Sequence, residues 1–334
     1  MKLNKTTSIL AILVMVLAVG TPSGLLGKNY TNGHDVDAIY QSIRNTGPLY
    51  EWDQEIVSFQ NEGMNLVCTL VIPNTGQKPP VVITLNGFAE DRHYFPIPDT
   101  GGEYYYERLS RILAEQGFAT LRVDYRGSGE SDGDYTFTTF STQISDALAA
   151  VEYVTRNLQD KVDTRSIGMV GHSQGGLVAS NAASMDKRVD SLVVWSAPSS
   201  PFCYESVFAR DYIKQGLALP DGGSITVELV IGGEFYGYID LGKGFFKDLF
   251  KIDPVAAITK YNGPLMYIAG KEDIIVWPQP AVGEMFLKYH KGVEKLVALD
   301  GDHEFNSWVG PELFDDTLYW TAAWFIKTLK LKTK

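Results

Sequence analysis

Between residues 53 and 330, short runs of β-forming residues alternate with longer stretches of helical period, and this alternation leaves few architectures open. Strands are predicted at 55–59 (EIVSF), 65–72 (NLVCTLVI), 81–87 (VVITLNG) and 118–125 (FATLRVDY). Four more follow at 166–171 (SIGMVG), 190–197 (DSLVVWSA), 264–270 (PLMYIAG) and 295–300 (KLVALD). The later runs are almost unbroken in apolar residues, as expected of strands covered on both faces of a parallel sheet. Residues 104–116, 141–158 and 311–329 carry apolar side chains at helical spacing. The reading is an α/β fold with a mostly parallel central sheet flanked by helices.

The alternation fails between about residues 201 and 254. This stretch holds Phe202, Tyr204, Phe208, Tyr212, Phe235, Tyr236, Tyr238, Phe245, Phe246 and Phe250, and PDGG at 220–223 predicts a turn into an extended run. It reads as an inserted lid subdomain over the C-terminal edge of the sheet, where such folds bind ligands. A small aromatic core with no ligand role is the alternative.

Residues 1–20 start with positive charge at Met1, Lys2 and Lys5 and continue in an apolar run from Ile9 to Val19. The run is short for a membrane span and suits a signal peptide, so export is expected; an uncleaved anchor is the alternative. Residues 21–52 read as a polar leader. The net charge of -11 without any basic cluster excludes a nucleic-acid surface, and membrane association only follows if the N-terminal segment is retained. Two cysteines, Cys68 and Cys203, allow at most one disulfide and no zinc set.

The chemistry concentrates in Gly171-His172-Ser173-Gln174-Gly175, a G-x-S-x-G pattern with strand before and helix after. A sharp strand-to-helix turn strains the serine backbone and lifts its hydroxyl clear of the sheet, which requires small neighbours. It also places the Gln174 N–H at a helix start, where it can donate to a developing oxyanion. A serine hydroxyl needs a base. Of five histidines, His303 in DGDHEF follows the last strand on the sheet edge where the Ser173 turn emerges; His34, His93, His172 and His290 are worse placed. Asp273 in AGKEDIIV is the favoured carboxylate to orient the imidazole, with Glu272 as fallback. The loop TLNGFAEDR supplies a second oxyanion donor, the Phe88 N–H or else that of Ala89. The glycines of DYRGSGESDGD lack dinucleotide spacing and open no helix, so they read as a structural turn in which Arg126 pairs with nearby acids. No metal or nucleotide cofactor is implied.

Together NGFAEDR, DYRGSGES, GHSQGG, GKEDIIV and GDHEF resemble, in order and spacing, the serine esterases of the α/β-hydrolase superfamily, most of all the cinnamoyl and feruloyl esterase group. The resemblance spans about residues 53–330. It implies an α/β-hydrolase fold with Ser173 as nucleophile, His303 as base, Asp273 as its orienter, and Phe88 and Gln174 as oxyanion donors. One departure is Asn86, where many relatives carry His before Gly. The implied substrate is a small-molecule ester with a small to medium acyl or hydroxycinnamoyl-type group. Lipase, peptidase or thioesterase action on the same triad, and a catalytically silent binding protein, are the alternatives.

Overall fold

The computed structural model describes residues 34–329. The segment 1–20 and the first part of the leader therefore lie outside the described residues. Among those described, no helix is long and apolar enough to cross a membrane.

The chain opens with α1 (His34–Thr46), followed by β1 (Trp52–Asn61) and β2 (Met64–Pro73). Glu62 and Gly63 join these two strands with φ of 49° and 82°, the paired positive values of a tight hairpin turn. Then come β3 (Val81–Leu85), α2 (Tyr105–Glu115), β4 (Ala119–Val123), α3 (Phe140–Asn157), β5 (Ile167–His172), α4 (Gln174–Met185) and β6 (Val189–Trp195). After β6 the chain forms a 3-10 turn (Pro201–Ser206), α5 (Tyr212–Ala218), β7 (Ser224–Ile231), β8 (Glu234–Gly242), α6 (Lys243–Asp248) and α7 (Pro254–Ile258). It finishes with β9 (Leu265–Gly270), α8 (Ala281–Tyr289), β10 (Glu294–Leu299) and α9 (Glu312–Thr328).

Eight strands make one sheet in the order β1-β2-β4-β3-β5-β6-β9-β10. The pairs β1/β2 and β2/β4 are antiparallel, and every pair from β4 onward is parallel. Strands β3, β4, β5 and β9 are buried along their whole length, which explains their nearly continuous apolar sequence. The two-residue period of the strand divides that surface: Ile83 and Met169 enter one core with α3, α4 and α8, whereas Val82 and Val170 enter the other with α2 and α9. The carboxyl ends of the parallel strands therefore meet at one edge, and β3, β5, β9 and β10 each run out there into a loop that bears a candidate residue.

The leader is not simply polar. Val36, Tyr40 and Ile43, spaced by four and three, are buried in the second core, and the Tyr40 ring stacks on Trp320 of α9 at 4.0 Å. The glycine-rich turn after β4 is structural as expected, but Arg126 draws its acids from elsewhere, Asp146 of α3 and Glu62 of the hairpin turn. The loop's own Asp124, fully buried, pairs with Arg92. Cys68 is buried in β2, Cys203 lies in the 3-10 turn, and both are free.

The aromatics of the stretch after β6 divide into a buried and an exposed set. Tyr204, Phe208, Phe245 and Phe246 are buried and join the first core, next to Phe140 and Phe88. Phe202, Phe235, Tyr236, Tyr238 and Phe250 are exposed. Among the described residues the β7–β8 hairpin joins neither edge of the eight-stranded sheet; besides its own ladder, β7 bonds the segment after the 3-10 turn, with Val230 N–H donating to the Val207 carbonyl and Ala209 N–H to the Glu228 carbonyl.

Candidate active site

Ser173 stands between β5 and α4 with φ 51° and ψ -121°, a conformation that costs a non-glycine residue about 1–3 kcal/mol. Its N–H donates to the Trp195 carbonyl at 2.8 Å, so the adjacent end of β6 holds the strained turn in place. The surrounding glycines are required by contact. A Cβ on Gly171 would strike the Gly175 carbonyl, one on Gly175 would strike the Leu85 and Asn86 carbonyls, and one on Gly176 would strike Ala197. The helix start is thus pressed against the end of β3, and that approach sets the Gln174 N–H beside the loop that follows β3.

That loop is built around a buried carboxylate. Glu90 accepts from the Gly87 N–H at 2.6 Å, and its main-chain carbonyl accepts from the Asn86 amide at 2.7 Å. The Ala89 N–H is already committed to the Tyr135 hydroxyl at 2.8 Å, with Ala89 at φ 58°. The Phe88 and Gln174 N–H groups donate to none of the described residues. Of the two donors considered for this loop, the one left free is Phe88.

Asp273 and His303 come together as the sequence predicts. His303 Nδ1 lies 2.7 Å from Asp273 Oδ2, and both side chains are buried. Oδ1 of Asp273 accepts from the Ile275 and Val276 N–H groups, each at 2.8 Å, which fixes the carboxylate plane. The two loops are stitched by the main chain, Lys271 N–H to Leu299 and Glu272 N–H to Gly301. Glu272, the fallback acid, is exposed and takes no part. Asp302 shapes the His303 loop by accepting from the Glu304 and Asn306 N–H groups. Burial disfavours a charged imidazole, but the adjacent Asp273 carboxylate and its hydrogen bond outweigh this, with help from Glu304 and Glu90, and raise His303 to about 9.

His172, next to Ser173 in the chain, links the nucleophile turn to the His303 loop. The His172 ring lies 4.9 Å from that of His303, centroid to centroid, and its Nε2 reaches the His303 carbonyl at 3.0 Å. The other histidines are elsewhere: His93 pairs with Glu107, and His290 bonds the Gly263 carbonyl. The sequence reading missed Glu90 and the supporting part of His172. It also missed that the Gln174 side chain ties α3, through Gln143, to the Tyr204 hydroxyl of the 3-10 turn. A polar Gln174 in an otherwise small, apolar helix start was the available signal.

Tyr204 also packs on Phe88, with ring centroids 4.9 Å apart, so the stretch after β6 lies against both loops that carry the free N–H groups. At the hairpin tip a methyl on Gly232 would come 3.0 Å from Ile274 Cδ1, next to Asp273. Among the described residues no group of three or more His, Cys, Asp or Glu side chains is arranged to hold a metal ion.

The architecture matches that of solved esterase and α/β-hydrolase structures. Est1E from Butyrivibrio proteoclasticus, with ferulic acid bound, superposes with a TM-score of 0.62 at 24% identity over 81% of this chain and 100% of that one. GrgF, an α/β hydrolase from Penicillium, gives 0.65 at 18% identity over 83% and 99%. The chain has the α/β-hydrolase fold. Residues 62–224 match the family model described as X-Pro dipeptidyl-peptidase (S15 family), a span that includes Ser173 but ends before Asp273 and His303. An uncharacterized 31.7 kDa protein of the Escherichia coli traX-finO intergenic region is 32% identical over 133 residues, 40% of this chain and 42% of the relative. The match thus spans less than half of that curated relative.

Proposed function

We propose that the protein is a serine carboxylic-ester hydrolase, with Ser173 as nucleophile, His303 as general base and acid, and Asp273 as the group that orients the imidazole. The observation that carries this reading is the buried 2.7 Å Asp273–His303 pair, held by His172 beside the strained Ser173 turn. With Nδ1–H directed to Asp273, the other ring nitrogen of His303 is left to exchange a proton with the serine. Neutral His303 takes the Ser173 hydroxyl proton as the oxygen bonds to the ester carbonyl carbon. The Phe88 and Gln174 N–H groups donate to no competing acceptor among the described residues and are free to donate to the oxyanion. The tetrahedral intermediate breaks its bond to the alcohol oxygen, and His303 returns the proton to that oxygen. Water then attacks the acyl carbonyl, losing a proton to His303; the bond to the serine oxygen breaks, His303 returns the proton to that oxygen, and the acid leaves.

The substrates proposed are small to medium acyl or hydroxycinnamoyl-type esters. The Tyr135 and Tyr204 rings, 6.2 and 4.9 Å from that of Phe88 on the donor loop, support an aromatic or apolar acyl group. The Est1E neighbour, solved with ferulic acid, supports the same choice. The S15 match favours a second reading, cleavage of an amide bond by the same triad. The test is a panel of nitrophenyl esters from acetate to decanoate, a hydroxycinnamate methyl ester and an Xaa-Pro nitroanilide, with wild type and Ser173→Ala. Ester turnover that vanishes in the variant is expected. A folded wild type inert toward every ester would sink the esterase reading, and turnover of the anilide alone would establish the second. Export through residues 1–20 is proposed on their sequence pattern; an unprocessed N-terminus on protein recovered from its native cell would overturn it.

A further inference from the structure

A carboxylate and an imidazole unused by that mechanism lie directly behind it. His172 is fully buried, and its Nε2 is 3.0 Å from the His303 carbonyl oxygen. A carbonyl only accepts, so Nε2 carries the hydrogen. Nδ1 then faces Glu90 Oε1 at 3.5 Å, and no hydrogen-bond partner is made to it. The other oxygen of Glu90 is occupied, accepting from the Gly87 N–H at 2.6 Å and the Tyr106 hydroxyl at 2.5 Å. With a neutral ring and an ionised carboxylate, two lone pairs would face each other in a dry interior, which is unfavourable. A proton on the line between Oε1 and Nδ1 removes that conflict, whether it is bonded to oxygen or to nitrogen.

We propose that Glu90 and His172 share one buried proton and act as a second imidazole–carboxylate pair that positions the three active-site loops against one another. Glu90 grips the oxyanion loop through Gly87, His172 belongs to the nucleophile turn, and its Nε2–H holds the backbone of the base. Neither side chain reaches the ester; both are positioning residues. The groups facing the pair are Tyr105 and Tyr106 of α2, and His303 and Glu304 of the base loop. Burial holds the Glu304 carboxyl above its ordinary range, with His303 and His172 opposing the shift, so uncompensated negative charge is disfavoured in this corner.

The proposal rests on the esterase reading for its kinetic arm and stands apart from it in a spectroscopic arm. Nitrogen-15 histidine spectra of the folded wild type should show Nε2 of His172 protonated at neutral pH and Nδ1 in a hydrogen bond. A bare Nδ1 or an unprotonated Nε2 overturns the pair, even if the protein hydrolyses no ester. In the kinetic arm, His172→Phe should lower kcat by about 100-fold with KM nearly unchanged, the scale of a misplaced base. His172→Gln, whose amide can still reach the His303 carbonyl, should recover at least about tenfold of that loss. Equal kcat in the two folded variants, or wild-type kcat in His172→Phe, refutes the positioning role. If His172→Phe does not fold, Glu90→Gln and Glu90→Leu replace it: the amide can donate to Nδ1 and should keep most of kcat, whereas the leucine should not. Identical behaviour of these two also refutes it.

Discussion

Strand β9 is buried at every residue from Leu265 to Gly270, whereas in β8 only Leu241 and Gly242 are. The first is paired on both edges and covered on both faces; the second pairs with β7 alone. Both are rich in apolar and aromatic residues, so composition does not separate them. Position does. The main sheet holds Ser173, Asp273, His303 and the free N–H groups at fixed places, while the β7–β8 hairpin carries Phe235, Tyr236 and Tyr238 outward near the acid loop. Under the proposed function the sheet edge breaks the bond, and the insertion is proposed to choose the substrate.

That division can be broken by substitution. Ser173→Ala should lower kcat/KM by about 10⁴-fold or more and Asp273→Asn by a similar factor, measured on the best nitrophenyl ester; a loss of tenfold or less in either removes that residue from the chemistry. Gly175→Ala drives a methyl into the Leu85 and Asn86 carbonyls, so thermal melting should report destabilisation of about 1–3 kcal/mol along with a large loss of kcat. An unchanged melting temperature would mean that the helix start can draw back from β3.

The pH profile separates the two regions without mutation. His303 is raised from 6.5 to about 9, and only its neutral form accepts the serine proton, so kcat/KM should climb with pH toward that value. A plateau reached below 6.5 would show that Asp273 does not hold the charged ring. For stability the sign is opposite. A histidine raised on folding contributes fully below 6.5, and the contribution fades as pH rises through about 9.

Smaller effects probe the insertion. Tyr204→Phe removes the hydroxyl that donates to Gln174 and should cost about 1 kcal/mol in denaturant unfolding, with a modest change in kcat. Replacing Phe235, Tyr236 and Tyr238 by serine should leave stability within about 0.5 kcal/mol per site while raising KM for bulky acyl esters. If KM is unchanged across the ester series, the hairpin has no part in substrate choice.

What could be read in the sequence follows the same division. The parallel strands were legible because burial on both faces demands apolar residues throughout, and the Ser173 turn because strand, small residues and helix must follow in that order. Asp273 and His303 were found by where they fall after strands. Helix α1 went unread, although Val36, Tyr40 and Ile43 show a buried stripe, because most of its other residues are polar and its partner α9 lies at the far end of the chain. Strand β8 went unread because its aromatic residues face outward and carry no alternation. Glu90 and the partners of His172 were invisible for a further reason. A short loop gives no period, and the contact from His172 to His303 joins residues 131 positions apart.

The separate hairpin also bears on how such a protein can diversify. Its ladder lies outside the eight-stranded sheet, so sequence drift there breaks no hydrogen bond of that sheet. Drift at Gly171, Gly175 or Gly176 meets backbone or core at once. A library randomised over 234–238 should therefore return mostly folded members with altered preferences, whereas the same library over 171–176 should return few that fold. New specificities are accessible by single steps in one place and closed off in the other.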